Sequence, residues 1–335
     1  MGTSTAIRPA AQAGPPDAVK LLPVIDPERL RADLAAVEKH FLIHANPAAE
    51  DTERAEGDQT GWDVLVLRCP GGDLEKIGRN AGGLEDFADT SYLELTPYVR
   101  EILDSMDVPI RGVRFSSLAA GAEVQEHTDS PYGLPVGWVR LHIPVETSDD
   151  AVLTINGADQ RWKPSEFWYA NFGLPHSLYN RGSAARVHLI IDCYVAPGLF
   201  DLFPADVRAR IPEDEVMFFR EERALPGQLR TVHGTIRMPA AFLKPHPDLP
   251  TAEEWDSGED AEGELRVQDD RLVLRLGEHE TALAHIGDRE FRPLCWTHEQ
   301  SMVLDPAGPA PRIVFRYRRG NQVIEAVREQ PALAS

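Results

Sequence analysis

Cysteine is scarce in this chain: there are three, Cys69, Cys193 and Cys295, odd in number and far apart. That spacing excludes a disulfide framework and a cysteine-built zinc site, and accords with a reducing, cytoplasmic setting. Basic residues are also short, 34 Lys and Arg against 54 Asp and Glu, for a formal charge of −20. A phosphate backbone or an anionic bilayer demands a basic face, so nucleic acid and membrane are disfavoured as partners. A small acidic ligand would need local cations, which makes individual arginines informative. No apolar run approaches the length of a bilayer span. The N-terminal stretch MGTSTAIRPAAQAGPPDAVK has no apolar h-region, and Ala6 stands where a myristoylation signal wants Ser or Thr. Residues 1–20 read as a disordered leader rich in Ala, Pro and Gly.

What is present is the composition of a soluble globular protein, 42% hydrophobic and 26% charged. A length of 335 residues suits one large domain plus a smaller one. The large unit is expected over 21–200. It opens on DPERLRADLAAVEKHF, whose apolar Leu30, Leu34, Val37 and Phe41 make a helical stripe with Asp26 as N-cap. The short strand DVLVLRC and a second helical region, YLELTPYVREILDSM, follow. From Arg111 the text becomes strand-like: GVRFSSL, WVRLHIPV, AVLTING, EFWYANF and RVHLIIDCYV are separated by turn-rich breaks. Short strands at regular spacing imply a sandwich or barrel. The remainder, 201–335, is read as a smaller C-terminal α+β region: helical over 201–250, an acidic linker over 251–263, and a small β-rich module over 264–330. That module ends in a hairpin turned at Arg319-Gly320-Asn321.

Several polar side chains sit inside otherwise apolar strands. Residues two apart in a strand share a face, so Arg140 and His142 point one way, as do Arg186 and His188. A buried cation without a partner is costly, and arginines flanked by Val, Leu and Ile therefore imply an anion nearby. His127, Asp129 and the distant His176 match a two-histidine, one-carboxylate facial triad, a set that leaves positions on Fe(II) open for a co-substrate and dioxygen. A dicarboxylate chelating such an iron needs a cation at its far end, and Arg186, ten residues past His176, can supply it.

The segments RFSSLAAGAEVQEHTD, VRLHIPV and FWYANFGLPHSLYNRGSAARVHLIIDC resemble the aspartyl/asparaginyl β-hydroxylase family, which includes bacterial free-proline cis-hydroxylases. The resemblance implies a double-stranded β-helix core, jelly-roll or cupin-like, mainly β with flanking helices. It also implies Fe(II) as cofactor and 2-oxoglutarate as co-substrate. An amino acid, free or in a peptide, would be hydroxylated by dioxygen with release of succinate and CO2. Carried onto these positions, it makes His127 and His176 iron ligands. Ser116 and Arg186 would hold the distal carboxylate of 2-oxoglutarate, and His142 would meet it near the metal. Arg140 would face the substrate carboxylate. The animal β-hydroxylases lack a carboxylate at Asp129 and the proline hydroxylases have one; the expectation is a ligand.

Each reading has a plainer rival. Asp129 before Ser130-Pro131 is also a turn residue bonding its own backbone, and Arg140 has Glu146 or Asp192 as simple ion-pair partners. His188, like His40, His44, His233, His246, His279, His285 and His298, reads as ordinary. Trp168 and Tyr169 read as core aromatics, and Arg316, Arg318 and Arg319 as a solvated hairpin, although a basic cluster on an acidic protein could hold an anion. A non-catalytic barrel that binds a metal or small anion is the competing function, disfavoured by the clamp beside the ligand set. The 201–335 region has no counterpart in the resemblance, and its extra length could serve a substrate larger than a free amino acid.

Overall fold

The computed structural model describes residues 16–40, 61–74, 83–129, 132–242, 244, 246, 249–256, 259–305 and 311–334. Expectations for most of the leader, Phe41, His44, Ser130 and Pro131 lie outside these residues.

Alternation of apolar side chains builds two facing sheets. The strands are β1 (Ala18–Lys20), β2 (Trp62–Pro70), β3 (Phe87–Asp89), β4 (Ile110–Leu118), β5 (Glu123–His127), β6 (Trp138–Glu146), β7 (Ala151–Ile155), β8 (Ala158–Gln160), β9 (Trp168–Ala170), β10 (His176–Asn180) and β11 (Arg186–Tyr194). Seven form one sheet in the order β1-β9-β6-β11-β4-β2-β3, and four form the other, β5-β10-β7-β8. From β4 to β11 the chain passes back and forth between the sheets, which is the winding of a double-stranded β-helix. Residues 18–20 belong to this fold, pairing with β9, so the expected leader stops short of residue 20.

The larger sheet has two unlike faces. One carries Phe115, Leu141, Ile143, Leu189 and Ile191 into the main hydrophobic core, under the helices α1 (Pro27–Val37) and α2 (Pro97–Asp104). Asp26 caps α1 by accepting from the Glu28 and Arg29 amides, and Leu30, Leu34 and Val37 are its buried stripe. The other face, turned between the sheets, carries Arg114, Ser116, Arg140, His142, Arg186, His188 and Asp192. The cross-strand pairs His188–Ser116, Asp192–Arg140 and Ile190–His142 fix that shared orientation.

Beyond β11 the structure departs from the expected layout. Residues 201–250 are not a helical stretch: they hold a short helix α3 (Ala205–Arg208), single 3₁₀ turns and the strand β12 (His233–Pro239). The acidic run expected as a linker is structured too, as α4 (Ala252–Asp256) and the start of β13 (Asp260–Gln268). Strands β14 (Arg271–Leu276), β15 (His279–Gly287), β16 (Glu290–Pro293), β17 (Gln300–Asp305), β18 (Arg312–Arg319) and β19 (Gln322–Glu329) continue an antiparallel meander. β20 (Leu333–Ala334) returns to pair with β12, so the sheet curls around its own core. Gly320 sits at positive φ in the turn between β18 and β19, where Arg319 pairs with Gln322. Trp255 on α4 is fully buried in this second core and donates to the Phe315 carbonyl at 3.3 Å. Trp255→Ala should cost about 3–5 kcal/mol, read from the denaturant midpoint of the C-terminal unit.

Candidate functional site

The antiparallel pairing of β5 with β10 sets His176 directly opposite His127, although 49 positions separate them in the sequence. Asp129 lies two residues past the end of β5, and its amide donates to the Phe172 carbonyl at 2.9 Å, which holds the turn against the β9–β10 connection. The result is one cluster: a ligand atom from each of His127, Asp129 and His176 lies within 4.8 Å of the other two. His127 Nε2 is 3.6 Å from Asp129 Oδ1, and His176 Nε2 is 3.9 Å from Asp129 Oδ2. Each histidine Nδ1 is 2.9 Å from a carbonyl oxygen, of Gln125 and of Leu174 respectively. A carbonyl only accepts, so both Nδ1 atoms carry the proton and both Nε2 lone pairs face the cluster. Burial pushes the His176 imidazole below its ordinary value, which keeps it neutral and able to donate that lone pair. Two imidazoles and one carboxylate so arranged are a donor set that fits a divalent first-row metal.

Asp129 is itself held. Arg140 Nη1 donates to Asp129 Oδ2, Arg140 Nε to Asp192 Oδ1 at 2.7 Å, and Nη2 to the Tyr132 hydroxyl at 2.7 Å. Arg114 adds a second guanidinium to Asp192 at 2.8 Å. Burial alone would raise the Asp192 carboxyl, but Arg140 and Arg114 hold it well below the usual carboxylate range. Arg140 is thus engaged on all three of its nitrogens, with Asp192 rather than Glu146 as its partner, in place of an open cation awaiting a substrate.

A second group lies on the same sheet face, between the sheets. Arg186 is 5% exposed and meets no carboxylate among the described residues; its Nη2 donates to His188 Nδ1 at 2.9 Å. Burial pushes its guanidinium down to about 9. Because arginine can only donate, His188 accepts at Nδ1 and carries its proton on Nε2. His142 Nδ1 is 3.3 Å from His188 Nδ1, and the Nε2 atoms of both rings are buried without a partner. Both rings are held well below their ordinary values, by burial first and then by the Arg186 charge. Ser116 Oγ accepts from Trp62 Nε1 at 2.7 Å, which leaves its own proton free to donate. Arg186, His188, Trp162, Gln160 and Thr147 line a cleft here. Phe172 joins the two groups, stacked on His142 at 4.8 Å and edge-on to His176 at 4.9 Å.

The cluster therefore unites His127, Asp129 and His176; Arg186 lines the neighbouring cleft, and Ser116 and His142 share its sheet face but are not among the residues that line it. From sequence His188 reads as ordinary and Asp192 only as a simple partner of Arg140; here His188 accepts from Arg186 and Asp192 holds both Arg140 and Arg114. The signal for His188 was its two-residue spacing from Arg186 on one strand face.

A family model for aspartyl/asparaginyl β-hydroxylases matches residues 26–195, half of the chain. The chain belongs to the aspartyl/asparaginyl β-hydroxylase family. The match spans the helices α1 and α2 and strands β2 to β11 of the two facing sheets, and stops at the end of β11. Among solved structures the similarity is more distant. A 2OG-Fe(II) oxygenase family oxidoreductase from Burkholderia pseudomallei is 12% identical over 53% of this chain and 85% of that one, with a TM-score of 0.34. A cupin domain from Bordetella pertussis is 15% identical over 27% of this chain and 88% of that one, at 0.21. A predicted oxalate decarboxylase from Thermotoga maritima is 19% identical over 29% and 74%, also at 0.21. These scores are low, and the family assignment rests on the matched residues. No helix among the described residues is long and apolar enough to cross a membrane.

Arg186 is a buried cation whose charge no carboxylate among the described residues offsets. Arg186→Met should leave the ligand-free protein at least as stable as wild type in thermal denaturation, because it removes an uncompensated buried charge.

Proposed function

We propose that this β-hydroxylase family member is an Fe(II)- and 2-oxoglutarate-dependent dioxygenase. It would hydroxylate an amino acid, free or within a peptide, of the aspartyl/asparaginyl or prolyl type, and release succinate and CO2. The observation that carries the reading is the convergence of His127, Asp129 and His176 with both Nε2 lone pairs already aimed inward. Three free, buried thiols accord with work in the cytoplasm.

In this reading His127 and His176 hold the metal through Nε2 and Asp129 through Oδ1, while Arg140 retains Asp129 Oδ2. Bound Fe(II), with dioxygen and 2-oxoglutarate, supplies the oxidation that turns a C–H bond into C–OH as the co-substrate loses CO2. The protein provides position and dryness. Arg186 and the free hydroxyl proton of Ser116 receive the distal carboxylate of 2-oxoglutarate, which balances the buried guanidinium. His142 meets the co-substrate on the metal side, with its ring fixed on Phe172. Trp162, stacked on Trp168 at 5.1 Å, lines the cleft and shields it from water.

Arg140 takes a different part from the one the family resemblance implies. Committed to Asp129, Asp192 and Tyr132, it orients a ligand instead of binding substrate.

Two measurements test this. Succinate formation from 2-oxoglutarate, with a screen of free amino acids and short peptides, should give a product heavier by one oxygen. His176→Ala should abolish it, and a fully active variant would overturn the reading. Asp192→Asn should weaken Co(II) binding by calorimetry about 10–100-fold, the range typical for loss of an outer-shell partner. Unchanged Co(II) affinity would show that Arg140 does not orient Asp129.

A further inference from the structure

The outer face of the C-terminal sheet gathers more positive charge than its own acids balance. Phe291, Met302, Phe315 and Tyr317 point into the second core, so their strand neighbours Glu290, Arg292, Ser301, Arg316 and Arg318 point outward. Arg220, on the segment arriving from the catalytic unit, joins them. Glu290, 3% exposed, receives Arg318 Nη2 at 3.0 Å, Arg220 Nη2 at 2.9 Å and Arg316 Nη1 at 3.4 Å, plus the Ser301 hydroxyl at 2.6 Å. Arg316 also reaches Glu325 at 2.7 Å.

Behind this group Arg292 is 3% exposed and meets no carboxylate among the described residues. Its Nη1 donates to the Pro293 and Trp296 carbonyls, and the guanidinium lies over the Phe219 ring at 5.0 Å. Four guanidinium groups thus face two carboxylates, on a protein whose net charge is −20. The acids on the incoming segment do not close the gap: Glu222 is paired with Arg271, and Glu221 points to solvent. His298, packed among Arg292, Arg220 and Arg318, is pushed down to about 2 by burial and by those cations. The Nε atoms of Arg292 and Arg318 are buried with no partner. Neutralising Glu290 alone needs one guanidinium, and like charges so close repel, so the surplus is costly unless an anion completes it. Arg220, Arg316 and Arg318 remain partly exposed, with side chains 37%, 26% and 21% accessible, so the group is open to solvent.

We propose that Arg220, Arg316 and Arg318 form a binding site for an anionic group, a carboxylate or a phosphate, at the margin of the C-terminal sheet. The site is separate from the Arg186 cleft and does not depend on the activity proposed above. Glu290 spaces the three guanidinium groups and keeps them from collapsing onto one another. Their remaining N–H donors take the oxygens of the incoming anion in forked pairs.

The test is equilibrium dialysis of the metal-free full-length chain with radiolabelled inorganic phosphate, with citrate as competitor and sodium chloride at matched ionic strength as control. Saturable phosphate binding at one equivalent is expected. Arg220→Gln and Arg318→Gln should each weaken it about tenfold or more, while Arg186→Gln leaves it unchanged. Citrate displacing phosphate at lower concentration assigns the site to a carboxylate ligand; the reverse assigns it to a phosphate. Glu290→Gln, which frees donors without removing any, should tighten phosphate about tenfold. Absence of saturable binding by either anion would overturn the proposal, as would binding lost in Arg186→Gln but kept in Arg318→Gln. Circular dichroism confirms the fold of each variant. If the arginine variants do not fold, the Glu290→Gln result decides, since arginines that merely neutralise Glu290 would give no gain in anion affinity.

Discussion

The antiparallel register between β5 and β10 is the constraint on which the site depends. A one-residue slip would turn His176 to the other face of its strand and separate it from His127. The register is held from both sides: β10 pairs with β5 on one edge and with β7 on the other, where His176 stands opposite Ile155. The fully buried Ile155 and the apolar Leu153 anchor that pairing in a small core of their own. The geometry of the His127–Asp129–His176 cluster is therefore a consequence of apolar packing several residues away.

Electrostatics then sorts the buried charges between the sheets into two kinds. Arg114, Arg140, Asp129 and Asp192 neutralise one another in a closed network, two guanidiniums against two carboxylates. Arg186 stands apart, with a neutral imidazole as neighbour and no acid among the described residues. A balanced network keeps a site in shape, while an unbalanced cation draws in a ligand of opposite charge. The two kinds lie on one sheet face, with the network in contact with the Asp129 carboxylate of the cluster and the lone cation apart from it.

The C-terminal meander follows a similar division. Its inner face is a separate hydrophobic core, and its outer face carries the arginines around Glu290 and an apolar patch, Ala282 and Ala284, against Phe87 of the catalytic unit. At the joint Arg111, 3.3 Å from the centroid of the Trp138 ring of its own unit, donates to the Cys295 carbonyl, and Trp138 meets Trp296 edge-on at 4.9 Å across it. Backbone bonds from Met217 to Leu134 and from Gly320 to Pro135 add to that contact.

Local chemistry determined much of this protein from the sequence alone. Alternating apolar residues set the strands β4, β6, β7 and β11, the Asp26 cap with the Leu30–Leu34–Val37 stripe set α1, and polar residues within apolar strands marked the site. The polar short strands β5 and β10 are not legible as strands, because β5 buries none of its side chains and neither strand alternates apolar with polar residues; pairing with neighbours in space makes them strands. The helical reading of 201–250 failed for the same reason: its apolar residues fill two cores without helical spacing. Partner choice was beyond the sequence as well. That Arg140 would meet Asp129 and Asp192, that Arg186 would meet no acid, and that His188 would accept from Arg186 were decided by register across strands. Hydrogen bonds and ion pairs act over a few ångströms, and only the tertiary structure sets those distances between residues tens of positions apart.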